Sequence, residues 1–183
     1  MSNDYAGAPV TASDVASAGN TEITSSTETV GLEIPQGWVN AADYMDVSGV
    51  SAGLPGGMGL VGAWFTGVPN GTSPPQLVMV LEAASSAAGL GSLSDFQAQA
   101  ITGLSTSDGF SGVGATSDVT STIALEGKRT TATIDVCKGV TATMAIETFG
   151  HNRRLALVMW TSYSGPVDEA ALQALTDSLR IDP

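Results

Sequence analysis

The sequence predicts an α+β fold with a central antiparallel β-sheet and flanking helices. Short apolar segments joined by tight turns follow one another through residues 120–163, which is typical of an antiparallel meander. A helical pattern precedes them at 93–104, and a second one closes the chain at 166–181. Because a sheet must bury its apolar faces, these helices are expected to cover the meander.

The first 27 residues differ in composition from the rest of the chain. They are rich in Ala, Ser, Thr, Asp and Asn, and Tyr5 is their one aromatic residue. Such a segment buries too little apolar surface to offset the entropy lost on ordering. The sequence therefore predicts a disordered polar tail or tether at 1–27 and a single domain at 28–183.

Three strands are expected in the first half of that domain, at 29–34, 60–68 and 76–82. Pro35 ends the first strand, and the glycine-rich residues 39–60 are expected to form a loop. The continuous apolar run Leu77–Leu81 predicts a central strand that is buried on both faces.

The helix at 93–104 has both a start signal and an apolar face. Ser92 precedes Asp95 by three residues, which is a capping pattern. The apolar face at helical spacing consists of Phe96, Ala100, Ile101 and Leu104. A Gly/Ser loop is expected after the helix, around Phe110.

Four strands are then expected in series, at about 120–126, 129–137, 140–149 and 154–163. Both alternating sets of side chains in the last strand are apolar, which predicts a central position in the sheet. The closing helix places Leu172, Leu175 and Leu179 on one face, and this face is expected to cover the meander.

The charge distribution argues against two classes of partner. The net charge is −12, and residues 1–127 contain twelve acids but no Lys or Arg. Phosphate backbones and anionic lipid surfaces are bound by clustered cations. We therefore expect no nucleic-acid partner, and membrane association only through an anchor that is absent from this chain.

Two short motifs resemble catalytic or cofactor sites but have the wrong context. Gly49–Gly53 matches G-x-S-x-G around Ser51, yet no apolar strand precedes it and Leu54-Pro55-Gly56 follows where a helix should begin. A serine esterase at Ser51 stays a remote alternative. Gly57–Gly62 matches G-x-G-x-x-G, but Trp64-Phe65 predicts a following strand instead of a helix. We predict no catalytic residue and no cofactor.

The cations of the last predicted hairpin are candidates for contact with a partner. His151, Arg153 and Arg154 lie together at the predicted turn, in a chain that is otherwise acidic. As a metal ligand His151 lacks a second His and a nearby Cys, so no metal site is predicted. The ordinary interpretation is a solvated turn, and the alternative is a small cationic contact patch.

The aromatic and sulfur-containing residues are candidates for ligand binding. Trp64, Trp160 and Met159 belong to apolar strands, so their ordinary role is in the core. Alternatively, they line an apolar cleft, since Trp and Met suit acyl chains or a partner surface.

Several motifs of the chain resemble the LpqN family of actinobacterial lipoproteins. The first is Ile34-Pro35-Gln36-Gly37-Trp38, and the second is Gly62-Ala63-Trp64 leading to Pro74-Pro75-Gln76-Leu77-Val78. The helix near 93–104 and Asp108-Gly109-Phe110-Ser111-Gly112 follow in the same order, and Ser178-Leu179-Arg180-Ile181 ends the match. The resemblance covers about 150 residues of this chain, from Thr29 to the end, and none of its motifs is catalytic.

This resemblance implies a PsbP-like α/β/α sandwich in an exported cell-envelope protein, anchored at the outer face of the cytoplasmic membrane. It also implies a non-catalytic role, in which the domain binds a lipid or glycolipid or acts as an adaptor for a membrane protein of envelope biogenesis. A pure protein–protein interaction module is the alternative function.

Overall fold

The structure is a computed structural model that describes residues 20–48, 58–69, 75–84, 92–105, 109–123, 125–137 and 139–182. It is an α+β fold: two antiparallel sheets and two helices make up most of the described chain.

The larger sheet has seven strands in the order β3-β4-β5-β9-β8-β7-β6. Their bounds are β3 Val39–Asn40, β4 Met58–Phe65, β5 Leu77–Ala84, β6 Phe110–Thr120, β7 Glu126–Cys137, β8 Val140–His151 and β9 Arg154–Ser162. The four strands from β6 to β9 are consecutive and antiparallel, which confirms the last three strands of the predicted meander; its first strand is Phe110–Thr120 and not 120–126. The predicted central position of the Leu77–Leu81 run is also confirmed, because β5 lies between β4 and β9.

The smaller sheet joins the two ends of the described chain. Its strands are β1 Thr21–Thr24, β2 Val30–Ile34 and β10 Arg180–Ile181, and β2 lies in the middle. β1 falls within the segment that was predicted to be a polar tail. Its pairing with β2 places the start of the folded region before residue 28, and residues 1–19 lie outside the described residues.

Two α-helices cover opposite faces of the larger sheet. Helix α1 spans Leu93–Ser105, and helix α2 spans Glu169–Ser178. The predicted start of α1 is confirmed, because Ser92 Oγ accepts a hydrogen bond from Asp95 N at 3.1 Å. The closing helix is shorter than predicted, since Leu179 ends it with extended dihedrals and Arg180–Ile181 pairs with β2 instead.

The α2 face of the larger sheet packs against α2 and the smaller sheet. Its buried side chains include Val78, Val80, Phe149, Val158 and Trp160, together with Val30, Leu32, Leu172 and Leu175 from the covering layer. The opposite face, the α1 face, buries Leu81, Met144, Ile146, Leu157 and Met159 beneath Phe96 of α1.

The prediction was wrong between residues 105 and 126. Phe110–Thr120 forms a strand where a loop was expected, and a turn at residues 122–123 lies where a strand was expected. Two hydrogen bonds connect Ser121 and Leu125 there: Ser121 N donates to Leu125 O at 3.1 Å, and Leu125 N donates to Ser121 Oγ at 3.1 Å. An edge strand with both faces largely exposed shows no apolar alternation, so periodicity does not reveal it.

Candidate functional site

Trp64 and Trp160 lie in the core of the α2 face. Trp160 is 0% exposed and Trp64 is 7% exposed. The Trp160 ring meets the Trp38 ring edge to face, with centroids 5.2 Å apart. Both indoles are therefore covered by other parts of the chain, as expected for core residues.

Hydrogen bonds fix the polar end of Trp160 as well. Its Nε1 donates to Gln76 Oε1, which also accepts from Asp168 N at 2.9 Å, just before α2. Gln76 Nε2 donates to Pro166 O at 3.1 Å. One glutamine side chain thus connects the sheet, the buried indole and the segment that leads into α2.

Met159 lies on the other side of the sheet from the two tryptophans. It belongs to the core of the α1 face and is 6% exposed. Adjacent residues of a strand point to opposite faces, so Met159 and Trp160 cannot line one cleft. The three predicted apolar site residues are therefore divided between two filled layers.

The predicted cationic tip is a tight turn between β8 and β9. His151 and Arg153 are exposed, Arg154 is half-buried, and His151 pairs with Arg154 in the ladder. Asn152 and Arg153 have positive φ values of 46° and 64°. A side chain other than Gly or Asn is strained in this left-handed region, so Arg153 occupies a position that favours glycine.

Of the two glycine motifs in the sequence, most of the second lies in the described residues and the first does not. Ser51 and its G-x-S-x-G pattern lie outside the described residues. In the second motif, Met58–Gly62 belongs to β4. A Cβ on Gly62 would come within 2.3 Å of the Trp64 ring, so packing of the indole explains this glycine.

Sequence reasoning did not find the groove between α1 and β6, here called the α1–β6 groove. It is open to solvent and has a volume of about 570 Å³. Its lining consists of Ser94, Gln97, Ala98, Ile101, Thr102, Val113, Thr116 and Lys128. Because α1 lies above β7 and β8, no described element covers the α1 side of β6, and Val113 is 50% exposed there.

Gln97 gives this groove a polar base. Its Nε2 donates to Thr130 Oγ1 at 2.9 Å and to Ile146 O at 3.1 Å, and Thr130 Oγ1 lies 2.7 Å from Thr116 Oγ1 on β6. The side chain is 2% exposed, and its Oε1 has no hydrogen-bond partner among the described residues. A buried carbonyl oxygen without a donor is costly, so this atom favours a ligand or water that donates to it.

A sequence signal for Gln97 did exist. It stands next to Phe96, within the apolar face of α1 at helical spacing. A glutamine in such a face is either satisfied by a buried partner or faces a binding site. Among the described residues its amide nitrogen has hydrogen-bond partners and its oxygen has none.

A buried carboxyl group lies beneath the first turn of α2. Glu147 is 4% exposed, and its Oε1 lies 3.6 Å from Arg129 Nη1. Arg129 also donates to Glu169 Oε1 at 2.6 Å. Burial raises the pKa of Glu147 to about 7, although the Arg129 charge acts in the opposite direction.

The Glu147 group connects β7 and β8 to α2. The hydrogen bond to Glu169 raises the pKa of Arg129, so the guanidinium stays charged and holds the helix start to the sheet. This arrangement is suited to a pH-dependent contribution to stability.

Two features are absent from the described residues. No group of three or more His, Cys, Asp or Glu side chains is arranged there to hold a metal ion. Within the same ranges, no helix has both the length and the apolar character that a membrane span requires.

Comparison with known proteins leaves the family open. No family model matches the chain, and no curated protein matches it. Among solved structures, the chain is similar to a protein of unknown function from Pseudomonas aeruginosa, PA94. The sequence identity is 13%, the TM-score is 0.42, and the match covers 84% of this chain and 86% of that one. A likeness this distant carries no argument about function.

Proposed function

We propose that this chain is a non-catalytic adaptor domain of the bacterial cell envelope, which binds a membrane protein partner through the α1–β6 groove and the neighbouring edge of β6. The observation that carries the proposal is the open groove beside an exposed edge strand. Gln97 lies at its base, and the Gln97 oxygen has no hydrogen-bond partner in the part of the chain that the structure describes.

The lipid-binding version of this function has less support. An acyl carrier needs an apolar cavity, and both tryptophans that were expected to line one are buried in the core. The groove lining is mixed instead: hydroxyl and amide groups alternate with the apolar Ile101 and Val113. Such a lining suits polypeptide better than a hydrocarbon chain.

The cellular setting rests on the resemblance to LpqN lipoproteins. We assign the domain to an exported protein, held at the outer face of the cytoplasmic membrane by an anchor outside this chain. The finer fold assignment, a PsbP-like α/β/α sandwich, belongs to the same proposal. The placement of α1 and α2 on opposite faces of one sheet is compatible with it.

The proposal is tested by site-specific photo-crosslinking in a mycolate-bearing host. A benzophenone amino acid at Val113 should yield a discrete crosslinked species. The control position is Val68, which is 60% exposed against 50% for Val113 and follows β4 in another part of the sheet. A crosslink at Val68 alone, or at neither position, would overturn the adaptor assignment.

Native mass spectrometry of the protein from the same host tests the lipid version. The adaptor assignment predicts the bare protein mass. A stoichiometric adduct with the mass of a lipid or glycolipid would favour a carrier instead.

A further inference from the structure

We propose that the outer edge of β6 takes an extended basic peptide segment of a partner protein as an additional strand. This inference rests on the proposed adaptor function and names the class of partner. β6 is the last strand of its sheet, and within the described residues no strand pairs with its outer side. The N–H and C=O groups along such an edge are a template for strand addition.

The register of β6 favours a short peptide over a second copy of the chain. Irregularities interrupt its pairing with β7 between Phe110 and Gly112 and between Val113 and Thr116. The run Thr116–Thr120 is paired without interruption. A second copy would have to match both irregularities along a long edge, whereas a peptide strand needs only the regular run.

Charge complementarity determines the chemistry of the peptide. Asp118 lies in the middle of the regular run, and its side chain is 82% exposed although it forms an ion pair with Lys128. Residues 1–127 contain no Lys or Arg, and the net charge of the chain is −12. A chain with a net negative charge attracts a basic partner over long range, so we place a Lys or Arg of the peptide opposite the exposed Asp118 carboxylate.

The groove determines a second position of the peptide. Asp118 and Thr116 point to the same face of β6, so their cross-strand neighbours in the peptide are two residues apart. The side chain opposite Thr116 lies at the mouth of the groove. A long side chain such as Gln, Lys or Arg can place its stem against Val113 and its donor groups in the groove, among the hydroxyl groups of the lining.

The first test selects peptides from a phage-displayed library of random 12-residue sequences on the intact protein. We expect enrichment of a Lys or Arg two positions from a Gln, Lys or Arg. Isothermal titration calorimetry then measures the selected peptide. Asp118→Lys should weaken binding about tenfold and Asp118→Asn by a smaller factor.

The matched control is Asp43→Lys, the same charge change beside β3 at the other end of the sheet. It should leave the affinity unchanged. Equal loss in Asp43→Lys and Asp118→Lys would assign the effect to net charge and overturn the proposed position. Circular dichroism checks that all three variants fold. If Asp118→Lys does not fold, Asp118→Asn still provides the test.

The second test scans the selected peptide with single N-methyl groups. In a strand only alternate N–H groups face the neighbouring strand, so binding should be lost at every second position of the paired segment. Loss without this alternation would overturn strand addition. A dimer of the free protein whose formation Asp118→Lys abolishes would overturn the peptide in favour of a second copy.

The crosslinking and N-methyl experiments test the adaptor function and the strand addition separately. A Val113 crosslink in cells without alternation in the N-methyl scan would retain the adaptor function and overturn strand addition. Absence of both would overturn the two proposals together.

Discussion

The two edges of the seven-stranded sheet are built in opposite ways. At one edge, β3 contributes two residues and the chain then turns into a short 3-10 helix at Ala41–Asp43. There Tyr44 meets Phe65 edge to face, with ring centroids 6.1 Å apart. At the other edge, β6 contributes eleven residues, most of them exposed.

Because of this difference, we expect one edge to contribute to stability and the other to binding. Sheets protect their edges with short strands, bulges and covering elements, and the β3 edge is closed in this manner. The β6 edge keeps two bulges and one charged side chain, Asp118, but no helix among the described residues lies above it. Substitutions near the β3 edge should therefore reduce stability, whereas those on the β6 edge should reduce binding.

The largest effect is expected next to the closed edge. Trp64→Ala removes a buried indole beside β3 and should lower the free energy of unfolding by about 3–5 kcal/mol. Val113→Ala on the open edge should change it by less than about 0.5 kcal/mol. Urea denaturation measures both, and equal losses would remove the distinction between the edges.

Two carboxylates, each paired with a cation of β7, differ in burial. Glu147 is buried beside Arg129, and Asp118 is exposed beside Lys128. Burial raises the pKa of Glu147 from 4.5 to about 7, so its neutral form is favoured in the folded state. The neutral Glu147 side chain therefore contributes fully to stability below pH 4.5. This contribution is lost as the pH rises through 7, and the free energy of unfolding falls by about 3 kcal/mol in total.

Denaturation at a series of pH values tests this prediction. The difference between wild type and Glu147→Gln should be constant below pH 4.5 and should then change by that amount up to pH 8. A Glu147→Gln profile parallel to wild type would mean that Glu147 titrates as an exposed carboxylate does.

A smaller effect is expected at the connection from the sheet to α2. Gln76→Ala leaves the Trp160 Nε1–H and the Asp168 N–H without their acceptor, which should cost about 1–3 kcal/mol. Gln76→Glu keeps an acceptor for both donors and should cost less. Thermal unfolding of the two variants separates two causes of destabilisation. A larger loss of stability in Gln76→Ala would assign the effect to the missing acceptor, whereas equal losses would assign it to the missing hydrogen bond to Pro166 O.

The smallest effect concerns the tip between β8 and β9. Arg153→Gly relieves a φ of 64° and should stabilise the protein by about 0.5 kcal/mol. Arg154→Gly lies within β9, where glycine weakens a strand, and should be destabilising. If both variants lose stability, Arg153 makes a compensating contact.

Local patterns were sufficient to predict much of the fold. The Ser92 cap and the apolar spacing predicted α1, and the serial apolar segments predicted the meander. The sequence did not predict β6, because this strand is held by its pairing with β7 and its own side chains show no apolar alternation. β10 was missed because two residues after a helix contain no strand signal.

The candidate site was less predictable for a related reason. Whether Trp64 and Trp160 line a cleft depends on what covers them, and the covering layer comes from both ends of the chain. The α1–β6 groove arises where α1 stops short of the sheet edge, which no spacing of residues reveals. Only Gln97, polar within an apolar helix face, was visible in the sequence as an unusual residue.

Amide hydrogen exchange, with and without a selected basic peptide, tests the central claim most directly. The account predicts slower exchange along Thr116–Thr120 when the peptide is present, and no change along Val39–Asn40. Protection confined to β3 and β4, or absent from β6 at saturating peptide, would contradict the assignment of the open edge as the binding surface.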